Sequence, residues 1–147
     1  YINKISIKNN DIIVRFNHCE NRTIFNGKTN AIALRSNGSL YWGFHINFIR
    51  TIQNKIIYLI GRNRQTNMVI QHFIKQGCIV FIIDYTQNKD NKTDSSGMQI
   101  INYFRKANSK NKIFLIGFDF HKGNRNSSHN FTKEQKNILQ YDNVIRL

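Results

Sequence analysis

A chain of 147 residues, 40% of them hydrophobic, is long enough for one compact domain with a buried core and too short for two of ordinary size. Lys and Arg number 22 against eight Asp and Glu, a formal charge of +14 that points to polyanions, membrane surfaces or anionic small molecules; an AT-rich coding bias towards Asn, Lys and Ile would leave the same excess. With two cysteines far apart and no run of about 18 apolar residues, there is no candidate for a cysteine metal cluster or a membrane-spanning helix, and Cys78, opening an apolar run, reads as a buried thiol in a reducing compartment.

Taken in order, Asn9-Asn10 signals a turn, and residues 11–17 read as a short β-branched strand ending in polar residues. A loop over 18–28 carries Asn26-Gly27, another turn signal, before a second apolar strand over 31–35. Residues 40–52 satisfy neither period cleanly and are read as helix. Residues 55–60 form the next buried strand, ended by Gly61. From 65 to 75, Met68, Val69, His72 and Phe73 recur at helical spacing, with His72 structural and Gln76-Gly77 the stop. Continuous apolar character over 79–83 predicts a strand buried on both faces, which completes a βαβ unit.

The most informative stretch lies beyond a polar loop over 85–93. Asp94-Ser95-Ser96-Gly97 stands at the start of a helix running to Asn108-Ser109, with Ser95 or Ser96 at the N-cap. Its first amides and the positive end of its dipole form an anion site, most often for a phosphate, which Gly97 lets approach closely. Residues 112–118 read as a buried strand, and Gly117 to His121 lies at its carboxyl end, where open α/β sheets hold ligands. Thr132-Lys133-Glu134-Gln135 reads as a capping box opening a helix through Leu139, and residues 144–147 as a closing strand.

Several of these pieces resemble a known family. Residues 11–17, with Arg15-x-Asn17, followed by Gly27-Lys28-Thr29, resemble the latter half of the large sialyl motif of sialyltransferases. Asp94-Ser95-Ser96-Gly97 through Gly117-Phe118 resembles the small sialyl motif, and His129 with Glu134 resembles the very small motif, in the family's order. The family's upstream Gly-Asn element has no counterpart, so an N-terminally truncated copy is expected. The cysteines bridged in animal members have no clear matches either, which favours a bacterial version.

The resemblance implies an α/β fold: a single domain over residues 1–147, a parallel-sheet sandwich with flanking helices, Rossmann-like and a variant of the nucleotide-sugar glycosyltransferase (GT-A-like) fold. It implies that Asn17 contacts the nucleotide of a CMP-sugar, that Ser95, Ser96 and Gly97 hold the CMP phosphate or sugar carboxylate, and that Gly117 and Phe118 border ribose and cytosine. His129 would be the general base, with His121 the alternative. The implied activity is inverting transfer of sialic acid, or a related acid sugar such as Kdo, from CMP-sialic acid or CMP-Kdo to a glycan or glycolipid acceptor of lipopolysaccharide or capsule. Such an enzyme would be cytoplasmic or peripheral on the inner membrane.

The chemistry asks for the same residue types. An imidazole with an ordinary pKa of about 6.5 suits removal of the acceptor hydroxyl proton, and helix amides suit the departing phosphate. No Asp-x-Asp pair occurs for a metal–pyrophosphate clamp, and neither metal nor cofactor is expected. The plainer readings are that Asn17 is a turn residue, the Ser-Ser-Gly run a simple cap, His121 and His129 exposed and idle, and Arg15 and Lys28 surface charges. Two further classes remain: a basic nucleic-acid-binding module, against which stand aromatics that fall mostly inside apolar runs and the lack of a recognised nucleic-acid motif, and an inactive transferase fragment.

Overall fold

The apolar stretches around residues 15, 33, 58 and 81 align as parallel strands in the computed structural model, which describes residues 8–16, 28–35, 50–62, 66–84, 94–108, 110–116 and 129–146. These residues fall in two compact units, one within Ile7–Tyr85 and the other within Thr86–Leu147. The fold is α/β, with every described strand pair parallel.

In the first unit, β1 (Val14–Phe16), β2 (Ala31–Arg35), β3 (Ile56–Ile60) and β4 (Ile79–Ile83) form a four-stranded sheet in that order. Side chains alternate across such a sheet, so register decides which of them share a face. Ile32 opposes Ile57 and Ile57 opposes Val80, while Leu34 opposes Leu59. Those residues pack with Ile52, Cys78 and the inner side of α1 (Thr66–Lys75) into one apolar cluster. On α1 the buried residues are Thr66, Val69 and Phe73, whose spacing places them along one face. Met68, expected on that face, is 49% exposed.

The stop at Gln76-Gly77 is a Schellman turn. Gly77 takes φ of 74°, its N–H donates to the Ile74 carbonyl, and the Cys78 N–H donates to that of Phe73. The chain turns directly into β4. Burial of β4 on both faces does not occur, because Ile79 is 61% and Phe81 41% exposed. β4 is the last strand of the described ladder, and Phe81 stacks on Tyr58, its register partner on β3. The helix expected over 40–52 lies almost wholly outside the described residues.

In the second unit, α2 (Ser96–Ala107) precedes β5 (Ile113–Leu115), and α3 (Phe131–Leu139) precedes β6 (Val144–Arg146). β5 and β6 pair in parallel as a separate ladder. Met98 and Ile101 of α2, Leu115 of β5 and Ile138 of α3 form its apolar centre, flanked by Ile113, Phe131, Tyr141 and Val144. The helix ends, which carry the candidate chemistry, are set by this packing. No helix among the described residues is long and apolar enough to cross a membrane.

Candidate functional site

The amino end of α2 is where sequence chemistry and geometry meet. Ser95 is its N-cap, with extended backbone and its hydroxyl accepting the Met98 N–H at 3.3 Å. The anion at this helix end belongs to the chain itself. Glu134, the fourth residue of α3, accepts the Ser95 N–H on Oε1 at 2.7 Å and the Ser95 hydroxyl on Oε2 at 2.6 Å. Both donors of Ser95 thus end on one carboxyl group, that of a residue only 2% exposed.

That placement corrects the capping box. The N-cap of α3 is Asn130 and not Thr132: its side chain accepts the Lys133 N–H at 3.2 Å, while Glu134 bonds to the N-cap residue of a neighbouring helix. Burial raises the Glu134 pKa above 4.5, helped by the nearby Asp94 charge, while the two bonds from Ser95 and the His129 charge pull it down. His129 stands five residues before Glu134 in the chain, and its ring meets Phe131 edge-on at 5.6 Å.

A second polar chain braces the same helix. Asp94 is buried and accepts from Asn102 at 3.4 Å; Asn102 in turn accepts from the Tyr141 hydroxyl at 3.4 Å. The Arg105 guanidinium lies 3.3 Å above the centre of the Tyr141 ring. These three carried no sequence signal: Asn102 and Arg105 read only as helix positions, and Tyr141 as a residue between the last helix and the last strand.

In the first unit the two pieces of the large-motif resemblance touch. Arg15 Nε donates to the Thr29 hydroxyl at 2.8 Å and to the Lys28 carbonyl at 3.3 Å, and Nη2 reaches the same carbonyl at 3.2 Å. At 8% exposure Arg15 is not a surface charge. An open hollow of about 340 Å³ lies at the amino ends of β2, β3 and β4, lined by Thr29, Asn30, Lys55 and Gly77 among others. That is the opposite end from the one at which parallel sheets usually hold ligands.

Of the candidate residues, Ser95, Ser96, Gly97 and His129 are described and belong to one unit, and Ser95 bonds directly to Glu134. Asn17, Gly117, Phe118 and His121 lie outside the described residues. Compared with protein-family models, curated proteins and solved structures, the chain matches none.

Proposed function

We propose that the chain is a sialyltransferase-like glycosyltransferase that moves sialic acid, or a related acid sugar such as Kdo, from its CMP donor to a glycan or glycolipid acceptor. One observation carries this reading. Ser95 and Glu134, 39 residues apart and drawn from two separate motif resemblances, share two hydrogen bonds, and His129 of the second motif precedes the N-cap of the helix that carries Glu134.

In this reading His129 takes the proton of the acceptor hydroxyl as its oxygen attacks the anomeric carbon and the bond to CMP breaks. The departing phosphate is received by the Ser96 and Gly97 amides, which as the first two helical residues have no intrahelical acceptor. Ser95 is held inward by Glu134. Asn17 would hold the nucleotide, and Gly117 and Phe118 its base and ribose. The basic surface would favour an anionic donor and contact with the inner leaflet, where glycolipid acceptors are assembled.

Calorimetry with CMP tests the site, using wild type, Asn17→Ala and Ser96→Ala. Equal heats for all three would defeat the assignment. His129→Ala should stop transfer and leave CMP binding nearly intact; loss of binding would make His129 a phosphate ligand and leave His121 as the base. The charge of +14 favours one other reading, a nucleic-acid-binding module. Nucleic-acid affinity that falls steeply with salt, without CMP binding, would select it.

A further inference from the structure

We infer that Glu134 is a positioning residue for the proposed site, locking the amino end of α2 to the segment that carries His129. The inference rests on the reading under Proposed function and adds to it a residue with no part in the chemistry itself. Both carboxyl oxygens accept from Ser95, and at 2% exposure the residue is closed off from a substrate by burial.

The link is short and continuous. Ser95 caps α2 through Met98; its N–H and O–H then run to Glu134 on α3. The first turn of α3 is closed by Asn130 on Lys133, and His129 is the residue before that cap. Phe131, against which the His129 ring rests, packs on the Met98, Ile101, Leu115 and Ile138 cluster. Helix start, carboxylate, helix start and imidazole are thereby joined through side chains that are buried or half-buried. Two charged groups face Glu134: Asp94 beside Ser95, which opposes its ionisation, and His129, which favours it. A carboxyl group with two matched donors holds orientation as well as distance. Loss of orientation at a reacting group costs turnover far more than ligand affinity.

The test uses the full chain as wild type, Glu134→Ala and Glu134→Gln, with amide hydrogen exchange at Ser95, CMP affinity and transfer rate measured for each. Glutamine keeps an acceptor for the Ser95 N–H and must reverse the bond to its hydroxyl, so Glu134→Gln should keep Ser95 exchange near wild type and most of the turnover. In Glu134→Ala, Ser95 exchange should rise about tenfold or more with the helices intact by circular dichroism. Its kcat should fall about tenfold to a hundredfold while the Kd for CMP stays within about threefold. Unchanged Ser95 exchange in Glu134→Ala overturns the inference, as does a rise in Kd with kcat preserved, which would make Glu134 a binding group. A wild-type chain that neither binds CMP nor transfers sugar removes the function proposed above; Ser95 exchange then still decides whether Glu134 fixes this helix end.

Discussion

Arg15 gives its Nε–H to the Thr29 hydroxyl at 2.8 Å, joining β1 to the residues that lead into β2. The same guanidinium holds the Lys28 carbonyl, so a buried cation organises the entry to the second strand. Truncation would leave a half-buried hydroxyl and a carbonyl without this donor. Hydrogen bonds to a charged group contribute about 1.5–3 kcal/mol, so Arg15→Ala should destabilise the chain by roughly that amount in urea denaturation. Arg15→Lys should recover less than half, because an ammonium has no fork to reach both acceptors. Full recovery by lysine would show that charge rather than geometry is what matters there.

Gly77 is the one described glycine at which both the backbone angle and the space around the α-carbon oppose a side chain. Its φ is 74°, and a β-carbon added there would run into Oδ1 of Asn54, itself at φ of 51°. The oxygen is at the end of a side chain that can swing aside; the backbone angle cannot be relieved. Gly77→Ala should therefore cost about 1–2 kcal/mol, the usual penalty of the left-handed region. Placing Gly77→Ala in an Asn54→Gly background should change that cost by less than about 0.5 kcal/mol. A larger recovery would move the explanation from backbone strain to collision.

The start of α3 separates two accounts of how that helix is capped. With Asn130 accepting from Lys133, Asn130→Ala should cost about 1 kcal/mol, the ordinary value for a lost N-cap. Thr132→Ala, at an exposed position inside the first turn, should stay within about 0.5 kcal/mol of wild type. The opposite ranking in thermal unfolding would restore Thr132 as the cap.

Much of the framework was legible locally, for reasons these residues make plain. The runs at 31–35, 56–60 and 79–83 are largely apolar, and each is a strand. Ser95 at the start of α2 and Gly77 after α1 are end signals whose partners lie within five residues. What could not be read was set by distant partners. Arg15 looks like any charged strand residue until Lys28 and Thr29, 13 and 14 residues on, supply its acceptors. Glu134 lies inside a stretch whose Thr132 and Gln135 have the spacing of a capping box, yet its own carboxyl serves Ser95, 39 residues back, because the shared apolar core brings α3 against the start of α2. The exposure of Ile79 and Phe81 follows from the place of β4 at the end of its ladder, and nothing in an apolar pentapeptide specifies strand order. At the candidate site, the Ser-Ser-Gly cap was readable from residue type alone, whereas His129 was singled out only by the family resemblance.

The buried Glu134 carboxyl should leave a signature in the pH dependence of stability. Burial, with Asp94 adding to it, raises its folded-state pKa above 4.5, while the Ser95 bonds and the His129 charge offset only part of that rise. The folded chain then binds this proton more tightly than the unfolded chain does. The resulting stabilisation is fully present below the unfolded value of about 4.5 and is lost as pH rises through the folded pKa. Other carboxylates titrate in the same range, so the useful quantity is the difference between wild type and Glu134→Gln, which keeps the shape and cannot ionise. Measured by urea denaturation from about pH 4 to pH 8, Glu134→Gln should gain on wild type as pH rises and then level off. Each tenfold excess in folded-state proton affinity adds about 1.4 kcal/mol to that gain. A difference that stays flat across the range, or that shrinks with rising pH, would mean that the two hydrogen bonds from Ser95 outweigh burial and that Glu134 is held as a stabilised carboxylate.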